Sequence, residues 1–111
     1  MKPNPVLMLV GTECARGKEK EFNDWYNSTF PPLMMKAPGV IRVDRYERVE
    51  DDDQYPSFLS IVQLKNEATI KSLNKSKAFK QVRKIFAEQQ VKWDIQLLWR
   101  VHYRRVYTSE G

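Results

Sequence analysis

Apolar residues recur along this chain with two different periods, and the switches between them mark the elements. Val6–Val10 (VLMLV) is a continuous apolar run, the pattern of a strand buried on both faces, and Gly11 and Thr12 close it. From Lys18 the period becomes helical. Phe22, Trp25, Tyr26 and Phe30 fall on one stripe, while Lys18, Glu21 and Asp24 lie toward water. Pro31 and Pro32 lack amide hydrogens, and Pro31 biases Phe30 away from helical angles. An interruption is therefore expected there, followed by a short second turn carrying Leu33, Met34 and Met35. Pro38-Gly39 ends that turn.

Val40–Val49 then alternates as a strand, with Arg45 and Tyr46 on opposite faces. Glu50–Gln54 is an acidic loop of hairpin length, and Ser57–Leu64 is the next strand, so these two strands form an antiparallel hairpin. Asn66 can cap the following helix, which carries Ile70 and Leu73. Asn74-Lys75-Ser76 weakens it, and Ser76 can cap a second segment with Phe79, Val82 and Phe86 on its apolar side. Trp93–Tyr107 alternates to the end. Trp93, Ile95, Leu97, Trp99, Val101, Tyr103 and Tyr107 share one face, expected to be well buried; Arg100, His102 and Arg104 share the polar one. The order is β-α-β-β-α-β. With right-handed crossovers it gives an α+β ferredoxin-like plait, a four-stranded antiparallel sheet with two helices on one face. The other face keeps apolar residues, which calls for a cover.

Composition narrows the class. At 111 residues the chain reads as one domain, 1–111, and is long enough to fold without a disulfide or metal. Hydrophobic content of 41% with 30% charged residues is that of a soluble globular protein, with no apolar run long enough for a membrane span. The N-terminal apolar run is too short and too soon charged for a signal peptide, so a cytoplasmic location is the default. A lone cysteine, Cys14, and a lone histidine, His102, leave no metal-ligand cluster, and no cofactor is expected. The net charge of +5 is compatible with an anionic partner, but acids interleave with the bases and a solvated surface accounts for it. Phosphate-loop, nucleophile-elbow and metalloprotease motifs are missing.

The stretch Phe22–Val49 resembles the dimeric α/β-barrel superfamily, in particular its EthD-like and related uncharacterised small-protein branches. The residues that carry the resemblance are Trp25-Tyr26-Asn27, Pro32 with Leu33-Met34, Pro38-Gly39-Val40 and Arg45-Tyr46. The resemblance implies a homodimer in which sheet faces pack into a barrel. It also implies a cavity between helices and sheet, and an activity drawn from cofactor-independent monooxygenases, isomerases or cyclases, or from heme-dependent enzymes. Where the family motif often has a histidine, this chain has Phe30, which can neither accept a proton nor bind a metal.

Within that frame the ligand-lining candidates are Trp25, Tyr26, Phe30, Arg45 and Tyr46, for a small apolar or aromatic ligand. Tyr26 and His102 are the weak catalytic candidates. A stripe such as Trp25, Tyr26 and Phe30 is more often core, although the Tyr26 hydroxyl needs a partner that a ligand can supply. Arg45 can bind a carboxylate or pair with an acid such as Glu47. His102 has a pKa near neutrality, but its parity places it away from the helix-side cavity. Cys14 beside Arg16 and Lys18 reads as inert. Two alternatives stand beside the enzyme: a non-catalytic dimer of the same fold, and, last, an RNA-binding plait. RNA would need aromatics on the central strands, where only Phe58 is found.

Overall fold

The computed structural model describes residues 5–111; the first four residues of the N-terminal stretch weighed against a signal peptide lie outside it. Its elements are β1 (Val6–Glu13), α1 (Glu19–Met34), β2 (Val40–Glu47), β3 (Phe58–Leu64), α2 (Ala68–Lys75), α3 (Lys77–Trp93) and β4 (Gln96–Arg104). The sheet runs β2-β3-β1-β4 with every neighbouring pair antiparallel, and the helices cover one face. This is the ferredoxin-like plait, with its second helical segment split in two.

The split has a local cause. Ser76 adopts an extended conformation, and its hydroxyl accepts the Phe79 amide at 3.1 Å, so α3 starts afresh there. At the start of α2 the Asn66 side chain accepts the Thr69 amide at 3.1 Å. Gly39 carries the turn into β2 with φ of 85°, and a Cβ there would lie 2.5 Å from Thr69 Cγ2, so both backbone and space require glycine.

The helix-side core comprises Val6, Met8 and Val10 of β1, Phe58, Val62 and Leu64 of β3, and Phe22, Tyr26, Phe30 and Met34 of α1. The opposite face of β1 is only half-buried at Leu7 and Leu9, so the strand is not covered on both sides as its apolar run suggested, and it continues through Gly11 and Thr12 to Glu13. α1 also differs from expectation: it runs without a break through Pro31 and Pro32. Those prolines cannot donate to the carbonyls of Asn27 and Ser28. Both of these residues are exposed, and water can satisfy their oxygens. Burial of Phe30 and Met34 on either side of the pair holds the last turn helical.

The last strand is shorter than its alternation implied. α3 extends to Trp93, which is buried and stacks on Trp25 at 6.1 Å, and Asp94 ends the helix in the left-handed conformation with φ of 50°. β4 then pairs with β1 through a bulge at Leu98: Gly11 faces Trp99, whereas Thr12 faces Leu97. Beyond the bulge, directly paired residues share a face, so Trp99, Val101 and Tyr103 join Gly11, Leu9 and Leu7 on the open side of the sheet. The expected well-buried face is thus divided at the bulge: Trp93 and Ile95 are buried and Leu97 stays on the helix side, whereas Trp99, Val101 and Tyr103 lie on the open side and are exposed in the single chain.

Candidate functional site

Between α1, α3 and the β1–β4 half of the sheet lies a cavity of about 330 Å³. Tyr26 and Phe30 wall it from α1, Val82 and Phe86 from α3, and Met8 and Val10 form its floor. Leu97 closes one side, and Arg83 and Arg100 stand at its solvent edge. The aromatic rings are interlocked: Tyr26 contacts Phe30 at 5.1 Å and Phe86 at 5.2 Å between centroids. The first pair is tilted and the second edge-on, and aromatic pairs avoid the face-to-face sandwich in the same way generally.

Tyr26 is fully buried, and the partner its hydroxyl needs comes from the chain itself: the Ser60 hydroxyl donates to the phenol oxygen at 3.1 Å. Burial raises the Tyr26 pKa, only partly offset by the Ser60 bond and by Arg45, so the phenol keeps its proton at neutral pH. The Arg45 guanidinium lies 3.8 Å from the Tyr26 ring centre and donates to Asn27 Oδ1 at 2.8 Å and to Asn23 Oδ1 at 3.2 Å. It is therefore a clamp between β2 and α1, and its partners are amides of α1 rather than Glu47. Arg45 lies outside the cavity lining. Trp25 does too, packing instead against Phe86 and Trp93, and Tyr46 points to the open sheet face. Of the five ligand-lining candidates the cavity brings together Tyr26 and Phe30.

His102 pairs with the fully buried Met8, which puts it on the helix side of the sheet, not away from it as its parity was read. It stands near Ile70 and Glu67 in a separate recess and does not line the aromatic cavity. Burial and then the Arg100 guanidinium hold its imidazole below the usual histidine range. The folded chain accordingly binds fewer protons here than the unfolded one. The stabilisation is present above about pH 6.5 and is lost as pH falls through and below it. Urea midpoints are expected to decline between about pH 7.5 and 5.5, and His102→Gln is expected to flatten that decline. Equal slopes in both proteins would count against the assignment.

Cys14 is held as a thiol, its pKa pushed up to about 11 by burial and by Glu19 and Glu13. The acidic loop residues Asp51, Asp52 and Asp53 share a polar groove with Arg16 and Arg48. Among the described residues no group of three or more His, Cys, Asp or Glu is placed to hold a metal ion, and no helix is long and apolar enough to cross a membrane.

The α3 and β4 contributions to the cavity are not legible in the sequence. Phe79, Val82 and Phe86 were visible as an apolar stripe and were read as core. Arg100 fell on the polar face of its strand, and nothing in the spacing of Arg83 and Arg100 links two residues 17 positions apart.

No family model and no curated protein sequence matches the chain. Solved structures do. A candidate antibiotic biosynthesis monooxygenase from Bordetella bronchiseptica superposes with a TM-score of 0.69 at 17% identity, over 94% of this chain and 99% of that one. An ethyl tert-butyl ether D (EthD) family protein from Bacillus halodurans gives 0.68 at 13% identity, over 93% and 99%. A dimeric ferredoxin-like protein of unknown function from Thermobifida fusca gives 0.64 at 10% identity, over 95% and 92%. At such identities the likeness carries the fold alone: this chain has a ferredoxin-like fold, shared with these structures.

Proposed function

We propose that this protein is a homodimer that binds a small, largely apolar molecule in the cavity beneath α1 and α3. The observation that carries the reading is the cavity itself: about 330 Å³, walled by Tyr26, Phe30 and Phe86, at the lower end of the range of about 300–1,000 Å³ usual for ligand pockets. The open sheet face supports the dimer. Leu59, Gly11 and Trp99 form one rung across three strands, and Ile61, Leu9 and Val101 form the next, so an apolar band runs over β3, β1 and β4. The likeness to a dimeric protein of the same fold points to a second copy as its cover.

Two uses of the cavity follow. The first is a cofactor-independent enzyme of monooxygenase, isomerase or cyclase type, and the likeness to a candidate monooxygenase bears on the first of these activities alone. The chemistry of the lining favours the second use, binding without catalysis. Phe30 offers no proton acceptor, the Tyr26 phenol is buried and protonated, and His102 lies in another recess.

Calorimetric titration with neutral 1-naphthalenemethanol tests the reading. The native protein is expected to bind it. Val82→Phe, which fills the cavity at a cost of about 1–3 kcal/mol of stability, is expected to abolish binding while the circular dichroism spectrum is kept. Undiminished binding by the folded variant would place the ligand elsewhere.

A further inference from the structure

The cavity is apolar in its depth and cationic at its edge, and the two cations come from different elements. Arg83 projects from α3 and Arg100 from β4, and both line the cavity. Their guanidinium carbons converge on one ring, lying 5.1 Å and 4.8 Å from the centre of Phe79. Among the described residues neither guanidinium has a carboxylate within ion-pair distance or a hydrogen-bond partner from the chain. Nearby, Lys77, Lys80 and Lys84 are exposed on the same helix and add to the positive potential.

This arrangement is unfavourable as it stands. Partial burial of Arg100 and the proximity of Arg83 both disfavour its charge, and a cation–π contact to one shared ring offsets only part of that. Elsewhere the chain pairs some of its arginines with acids: Arg104 meets Glu67, and Arg42 meets Asp44 at 2.7 Å. At the cavity edge it does not. Two planar donor groups facing one opening are suited to a carboxylate or a similarly small oxyanion, which accepts hydrogen bonds from both at once.

We infer that the ligand is an amphipathic organic anion, its apolar body inside the cavity against Phe30 and Phe86 and its anionic group held between Arg83 and Arg100. The inference rests on the proposed binding role of this cavity and adds the charge, the orientation and the entry side of the ligand. A one- or two-ring aromatic carboxylate fits the volume.

Two isosteric probes separate this inference from the reading beneath it: 1-naphthoate and neutral 1-naphthalenemethanol, titrated calorimetrically at low salt. Naphthoate is expected to bind about tenfold or more tightly, the effect of a charge-assisted hydrogen bond. Arg83→Gln and Arg100→Gln are each expected to weaken naphthoate about tenfold and leave the neutral probe unchanged, which also shows that the variants are folded. Raising salt to about 1 M is expected to weaken naphthoate alone. Equal affinity for the two probes, or naphthoate binding unmoved by both substitutions, overturns the inference and leaves the apolar cavity standing. Failure of both probes on the native protein removes the binding reading and this inference with it.

Discussion

The native protein is expected to elute as a dimer and a Leu9→Asp, Val101→Asp variant as a monomer, with an unchanged circular dichroism spectrum. Leu9 and Val101 are direct partners at the centre of the open sheet face, flanked by Ile61 on the other neighbouring strand. Trp99 and Tyr103 extend the band along β4 with 40% and 58% of their surfaces exposed, an arrangement that a monomer would leave in water. A stable interface buries about 1,200–2,000 Å² and excludes water from its centre. A carboxylate placed there loses its hydration without gaining a partner, at a cost of several kcal/mol. In the isolated chain the same side chains point away from the helix-side core, so the fold is expected to tolerate them. Multi-angle light scattering at micromolar concentration reads the outcome. A native protein that runs as a monomer would remove the barrel assembly altogether.

Phe22→Ala is expected to lower the unfolding free energy by about 3–5 kcal/mol. Phe22 is fully buried in α1 and packs on three rings at once: Tyr26 at 5.5 Å, Phe58 at 5.8 Å and Trp25 at 6.2 Å. It joins the helix to β3 and supports Tyr26, which walls the cavity. Truncation removes the transfer term and leaves a void that interlocked rings cannot collapse to fill. Against a total stability of about 5–15 kcal/mol for a domain of ordinary size, this is a large share. Urea unfolding at fixed protomer concentration measures it, since the proposed dimer would make the midpoint concentration-dependent. A loss below about 1.5 kcal/mol would mean that the site relaxes, and that the ring cluster is less rigid than its geometry indicates.

The parts of the fold that were legible share one property: their signals are local. The stripe of Phe22, Tyr26 and Phe30 gave α1, the acidic turn between two alternating runs gave the β2–β3 hairpin, and Ser76 marked the start of α3. Signals that compete were misread. Pro31 and Pro32 argue against helix, but the buried side chains around them outweigh two lost hydrogen bonds on an exposed surface. Trp93 fits both the alternation that follows it and the α3 stripe, seven residues beyond Phe86. Its burial against Trp25 settles the choice for helix.

By itself, then, the sequence determined which elements form, their order and the existence of a second apolar sheet face, because hydrophobic periodicity and caps act within a few residues. Only the tertiary structure decided which face of β4 meets the helices. Alternation says that residues share a side, whereas pairing with Met8 and the bulge at Leu98 say which side it is. The same pairing carried His102 to the helix side and brought Arg100 of β4 beside Arg83 of α3. The cavity, and the unpaired charge at its edge, exist only where those two elements meet.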